Sequence, residues 1–373
     1  MKSLVIEKED LKHNIQAIKK HAKINGKDDK GNYTKIIAVV KANAYGLGIV
    51  EFTKVLIENG FDFFAVSTIE EALELRNAGI KEKVLMLSST SIKEEIEILI
   101  KNKITITIGS KQSAIIANEI GEKLKKVIKV HLKIDTGFGR YGFLYTEPEK
   151  IVESIKGLKN IEIEGTFSHF SLAFYKKDKY TKIQFDRFIK VIETLKMNEI
   201  NTGMLHICNS SSFIKFPQMH LNAVRIGSAF TGRIPFVEKL GLRKLGRFET
   251  NVVEIKELPK GFNVGYSNSF KTKENTKIAI IPVGYEDGIN IVVGKDMFRI
   301  RDKLRYIFGD SKNLLKKQSI YVKINDKNCK IIGRVGTYHM IADISGKDIN
   351  IGDKVIINIS PKFVNSKIRR VYK

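Results

Sequence analysis

The feature that most constrains this chain is an alternation. Short apolar runs trade places with amphipathic stretches over the first two thirds of the sequence. Strand-like runs fall at 36–43, 63–68, 84–90, 104–108, 127–134, 161–169, 205–210 and 223–228. Between most of them lies a helical pattern, such as 69–78 or 180–197, and residues 9–22 set Leu11, Ile15 and Ile18 at helical spacing. Strands that alternate with helices imply a parallel sheet. Eight such units predict a (β/α)8 barrel, a fold of roughly 250 residues. A doubly wound open sheet is the competing arrangement. It would carry a glycine-rich fingerprint after the first strand, and Gly46-Leu47-Gly48 is followed by Glu51 where the third glycine belongs. The seventh connection, after Ser210, is short and contains Pro217.

Beyond about residue 240 the texture changes. Runs at 250–258, 277–283, 320–324, 330–335, 340–344 and 354–359 read as strands, and Asn325-Asp326-Lys327-Asn328 reads as a hairpin turn. The expected architecture is therefore α/β, a (β/α)8 TIM-like barrel over 1–240 followed by a mostly β domain over 241–373. A length of 373 residues suits two domains, and 43% hydrophobic residues suffice for two cores. The formal charge of +24 comes from scattered lysines with no block of like charge. Neither zinc-finger spacing nor an RNP-type aromatic motif accompanies it, so no nucleic-acid partner is expected. No run approaches the ~18 apolar residues of a membrane span, and Leu4 to Ile6 is too short for a signal core. Two cysteines, Cys208 and Cys329, make neither a disulfide framework nor a metal cluster, which fits a reducing cytoplasm.

In a parallel barrel the chemistry sits where the strands end. The first strand ends on Lys41, the fifth runs through Lys133 and Asp135 to Arg140, and the sixth ends on His169. The seventh ends at Asn209-Ser210, and the eighth at Arg225-Ile226-Gly227-Ser228. A lysine closing a valine-rich strand has two readings. It can snorkel from the barrel rim, or, desolvated, it can join an aldehyde as a Schiff base. Asn209, Ser210, Gly227 and Ser228 lie where this fold binds phosphate, although ordinary loop capping would use the same residues. An amine for an aldehyde beside a cradle for a phosphate points to pyridoxal phosphate. Arg225 then acquires a role at the pyridine nitrogen. A guanidinium keeps its proton, so the ring nitrogen would stay unprotonated and the electron sink weak. A salt bridge to a neighbouring carboxylate is the plainer reading of the same arginine.

Five stretches together resemble the alanine racemase family. They are Val39-Val40-Lys41-Ala42-Asn43-Ala44-Tyr45-Gly46, His131-Leu132-Lys133-Ile134-Asp135-Thr136-Gly137 with Arg140-Tyr141-Gly142-Phe143, His206 with Asn209-Ser210, Val224-Arg225-Ile226-Gly227, and Gly284-Tyr285-Glu286-Asp287-Gly288. The match is collinear and spans both expected domains. The resemblance implies a pyridoxal-phosphate amino-acid racemase that works as a homodimer with shared active sites and supplies D-alanine for peptidoglycan. Lys41 would carry the cofactor and serve as base on the D face of the substrate. Tyr266 of the other subunit would serve the L face. Arg225 would meet the pyridine nitrogen with His169 nearby, Arg140 the phenolic oxygen, and Tyr45, Ser210, Gly227 and Ser228 the phosphate. Lys133 matches a lysine that is carbamylated in some members. Arg140, Tyr285 and Thr337 would contact the amino-acid substrate.

The chain also departs from the family pattern. Gly336-Thr337-Tyr338-His339 replaces a Cys-Met-Asp-Gln-type segment, so the entrance loses an acid and gains a phenol. Ser366 stands where some members place a phosphate-contacting tyrosine. These changes leave a racemase of serine, lysine or arginine as an alternative to alanine. A decarboxylase of the same architecture is disfavoured by Arg225, and a non-catalytic cofactor carrier by the second domain and Tyr266.

Overall fold

The computed structural model describes residues 1–25, 31, 33–289, 291, 300, 304 and 320–373. Two compact units emerge, Lys8–Leu245 and Met1–Glu7 with Gly246–Lys373.

In the first unit all eight expected strands form: Lys35–Val39, Phe63–Val66, Lys83–Ser89, Thr105–Ile108, Ile128–Asp135, Ile161–Phe167, Met204–His206 and Ala223–Ile226. Each pairs in parallel with the next. The last returns to the first with Ala223 opposite Lys35, which closes the barrel. Strand residues two apart converge on its interior: Ile37 with Val39, Phe63 with Ala65, and Leu85 with Leu87. Helices follow the strands, and two of them begin with hydroxyl caps, Thr68 on Ile69–Asn77 and Ser110 on Lys111–Leu124. The short seventh connection holds a six-residue helix, Ser210–Lys215, and one turn at Pro217–Met219.

The second unit is a nine-stranded sheet. Its order is Glu254–Leu258, Thr276–Ile281, Met340–Asp343, Lys327–Ile332, Tyr321–Ile324, Lys354–Ile357, Arg247–Asn251, Ser3–Ile6 and Arg369–Tyr372. Asn325 and Asp326 alone make the hairpin turn, both at positive φ, with Ile324 opposite Lys327.

Three details differ from the sequence expectation. The run 250–258 is two strands, because the chain leaves one partner, Lys354–Ile357, and joins another, Thr276–Ile281. Residues 1–7 belong with the C-terminal sheet, since Ser3–Ile6 pairs with Arg247–Asn251 and with Arg369–Tyr372. The first barrel strand ends at Val39 rather than at residue 43. Among the described residues no helix is long and apolar enough to cross a membrane.

Candidate active site

After Val39 the chain makes a helical turn, Lys41–Tyr45, of the wrong hand. Ala42, Asn43, Ala44 and Tyr45 all sit in the left-handed region, with φ of 53°, 52°, 50° and 56°. Each such residue costs about 1–2 kcal/mol relative to right-handed backbone. Neighbours hold the turn in place. Val40 N–H donates to Ala65 O at 2.9 Å, and Ile49 N–H donates to Asn43 Oδ1 at 2.7 Å. Glu71 Oε1 accepts from Ala42 N–H at 2.5 Å, while its other oxygen accepts from Ser67 N–H at 3.0 Å. Lys41 opens this turn and is partly buried, with its backbone fixed on both sides.

Deeper in the barrel lies a set of cations. Lys133 is 6% exposed and Arg225 3% exposed. Their heads lie over the Phe167 ring, at 4.5 and 5.1 Å from its centroid. Burial, then the neighbouring Arg225 and Arg140, pull Lys133 down to about 7. Burial brings Arg225 to about 10, which leaves it cationic at neutral pH. Lys41 and Arg140 also act electrostatically on both Lys133 and His169. The nearby acid, Asp135, is spent on the backbone. Its oxygens accept from Gly137, Phe138, Gly139 and Arg140 N–H groups at 2.8 to 3.2 Å, and these bonds keep it below the usual carboxylate range despite burial. Arg140 itself is exposed, and its guanidinium rests 4.4 Å from the Phe138 ring centre.

Arg225 is held on four sides. Nη1 donates to His206 Nδ1 at 2.7 Å and to His206 O at 3.1 Å. Nη2 donates to Ser168 O at 2.7 Å, with Ile207 O at 3.1 Å and His169 Nδ1 at 3.2 Å sharing its remaining capacity. The four Nη protons are thereby committed, and Nε–H is the remaining donor. No carboxylate pairs with Arg225 among the described residues. His169 lies well below its ordinary range, through burial first and the charge of Arg225 second, so it stays neutral.

The residues expected at a phosphate divide. Asn209 caps the helix Ser210–Lys215, its Oδ1 accepting from Ser211 and Ser212 N–H groups at 3.0 and 3.1 Å. Ser210 Oγ accepts from Gly227 and Ala229 N–H groups at 3.0 and 3.2 Å, which joins the ends of strands seven and eight. Gly227 lies against Tyr45, and a methyl group there would overlap the phenol oxygen. Burial, then the charge of Glu71, pushes Tyr45 up to about 12, so its hydroxyl keeps its proton and can donate. The carbonyl of Ser228 is occupied by Thr231 and Arg233.

In the second unit Tyr266, Tyr285 and Tyr338 are 69, 53 and 56% exposed. Tyr266 lies beside Gly336, where a Cβ would stand 3.5 Å from its ring. Loops 284–288 and 333–339 are zipped together by Tyr285 N–H to Gly336 O and Glu286 N–H to Thr337 O, both 3.1 Å. The hydroxyls of Tyr285 and Thr337 meet at 2.5 Å. Ser366 O accepts from Arg370 at 2.9 Å. The structure thus gathers Lys41, Tyr45, Lys133, His169, Ser210, Arg225 and Gly227 in the barrel, and Tyr266, Tyr285 and Thr337 in the second unit. His131 and Asp135 lie in the sequence motifs, but neither was given a role there. Asp135 shapes the loop that carries Arg140, and His131 lies within hydrogen-bond distance of His206.

Both units resemble known proteins. Residues 6–235 match the alanine racemase N-terminal domain model and 245–369 the C-terminal domain model. An alanine racemase of Clostridium novyi is 35% identical over 351 residues, covering 92% of this chain and 83% of that protein. One of Clostridium tetani is 34% identical, covering 94% of this chain and 84% of its own length. The alanine racemase structure of Clostridium difficile 630 superposes with a TM-score of 0.86 at 28% identity, covering all of this chain and 95% of that one. The Bartonella henselae alanine racemase with covalently bound pyridoxal phosphate has the same fold, with a TM-score of 0.80 at 21% identity over all of this chain and 99% of that one. With both domain models matched in order and relatives above 30% identity along nearly the whole chain, this chain belongs to the alanine racemase family, pyridoxal-phosphate isomerases that interconvert L- and D-alanine.

Proposed function

We propose that the barrel holds pyridoxal phosphate through Lys41, Tyr45, Arg225 and the Ser210–Gly227 junction, and that Lys41 and Tyr266 of a second copy act as opposed bases on the amino acid. The observation that carries this reading is Arg225. Its Nη protons are taken by the protein, its charge survives burial, and no acid pairs with it among the described residues. A donor that cannot surrender its proton suits an unprotonated pyridine nitrogen. The cationic Arg140 and Arg225 suit an anionic ring oxygen, and the Tyr45 hydroxyl beside Gly227 suits a phosphate.

Bound pyridoxal phosphate withdraws electrons from the amino-acid Cα and so acidifies its proton. The chain supplies the rest. Lys41 Nζ would take or return a proton on one face of Cα, and the Tyr266 phenol would do so on the other. Two groups on opposite faces invert the centre without turning the substrate. Arg225 Nε–H would face the ring nitrogen, and Arg140 the phenolic oxygen. Tyr285 and Thr337, joined through their hydroxyls, would border the substrate. The exposure of Tyr266 and Tyr285 supports a homodimer that brings one copy's phenols to the other's barrel. Two buried, free cysteines support a cytoplasmic enzyme, with D-alanine for peptidoglycan as its product.

A chiral assay across alanine, serine, lysine and arginine tests the proposal. Alanine should be racemised fastest, in both directions, with one deuterium gained at Cα per inversion in deuterium oxide. Carbon dioxide release, or cofactor absorbance without exchange, would overturn it.

A further inference from the structure

Under Arg225 the barrel carries two more buried histidines, and their protons can be placed by valence alone. His206 and His131 are fully buried, and His206 Nε2 lies 2.9 Å from His131 Nδ1. Arg225 only donates, so His206 Nδ1, 2.7 Å from Arg225 Nη1, must be a bare acceptor. A neutral His206 then carries its proton on Nε2 and donates it to His131 Nδ1. The opposite direction would leave His206 with no proton at all. His131 in turn bears its proton on Nε2, and that nitrogen has no hydrogen-bond partner among the described residues.

Packing confines both rings to this place in the barrel wall. His131 stands opposite Gly165 in the parallel register, and a Cβ on Gly165 would come within 2.6 Å of the His131 ring. Phe167 stacks on His206 at 4.9 Å and 6°. Phe63 meets His131 edge-on at 6.0 Å. The charged groups that act on the pair are Arg225 and Lys133 above, and Lys83 with Glu164, themselves ion-paired at 2.5 Å. Burial holds His131 down to about 3 and His206 well below its ordinary range, so both rings are neutral.

We infer that His131 and His206 form a one-way relay of hydrogen bonds that fixes the direction of Arg225 and leaves its Nε–H for the cofactor ring. Both are positioning residues. This rests on Arg225 as the ring-nitrogen partner, but the proton placement does not. His206 turns two of the guanidinium protons away from the mouth, and His131 supplies the acceptor that keeps the His206 tautomer and ring plane unique. A histidine in a barrel wall usually reads as core, and here its register beside a glycine gives it a second use.

Imidazole nitrogen NMR on histidine-labelled protein, with and without pyridoxal phosphate, reads the tautomers directly. Bare Nδ1 and protonated Nε2 are expected on both His206 and His131 in both forms. A proton on His206 Nδ1 in either form overturns the relay, whatever the enzyme's activity. His131→Leu removes the acceptor, and His131→Gln keeps one. Displacing a positioned group by about 1 Å costs on the order of 10²-fold. The leucine variant should lose about that much kcat at little change in KM and shift the cofactor absorption band, while glutamine restores most of both. Equal loss in the two variants, or a folded leucine variant with unchanged kcat and spectrum, overturns the positioning role. If the leucine variant does not fold, the tautomers of the glutamine variant decide: a wild-type pattern at His206 supports the relay and a changed one refutes it. An enzyme that showed the tautomers but racemised nothing would instead sink the proposed function.

Discussion

The barrel and the C-terminal sheet carry functional residues in opposite ways. In the barrel, Lys133, His206 and Arg225 are buried, the hydrogen bonds of His206 and of the Arg225 Nη atoms have assigned directions, and burial has moved the acid–base behaviour of all three. In the sheet unit, Tyr266 and Tyr285 stand more than half exposed on loops held by backbone hydrogen bonds. A chemical environment can be built within one unit only where the chain surrounds it. A phenol presented on a loop acquires its environment from whatever covers it. On the proposed reading, cofactor binding would be a property of one folded unit, whereas the second base would depend on assembly.

The largest effect should come from breaking the barrel side. Lys41→Ala should abolish cofactor absorbance in the visible range and lower turnover by about 10⁴-fold or more, beyond the usual range for a single general base. Absorbance titration and a chiral assay check both; retained absorbance would place the cofactor elsewhere.

Breaking the sheet side should separate binding from turnover. Tyr266→Phe should leave absorbance and thermal stability intact and slow racemisation by about 10²–10⁴-fold. Loss of α-proton exchange should be greater from L-alanine than from D-alanine, as deuterium incorporation would show. Equal loss from both would mean that the phenol is not facial.

A smaller effect sharpens the contrast. Lys133 is held near 7, below its ordinary value near 10.5. Between those values the unfolded chain binds more protons than the folded one, so this group destabilises the fold most below pH 7 and ever less as pH rises. In the cofactor-free protein, Lys133→Met should remove about 1–3 kcal/mol of the stability gained from pH 6 to 9, as urea unfolding would record. An unaltered slope would show that the lysine is solvated.

The barrel was legible because each strand is a dense apolar run ended by polar residues. The Lys41, Arg225 and Gly227 positions followed from where strands end. Other features were hidden for physical reasons. Ser3–Ile6 finds its partners some 240 and 360 residues away, so no local pattern marks it. The left-handed turn is written with alanine, asparagine and tyrosine, and glycine, the usual signal, is absent from Ala42–Tyr45. Asn209 and Ser210 read alike as phosphate residues, but Asn209 caps a helix with its side-chain oxygen, whereas Ser210 joins two strand ends and keeps a hydroxyl proton to donate, a division that only the fold reveals. The histidine relay needs three strands in register before it can be seen.

In the proposed enzyme one copy's barrel works with another copy's Tyr266. Lys41→Ala and Tyr266→Phe protomers can be unfolded together, refolded as a mixture with pyridoxal phosphate, and assayed with alanine. Each mixed dimer would contain one site with both bases intact, so random pairing should restore about a quarter of wild-type activity. A mixture no more active than the mean of its two parents would contradict the shared site.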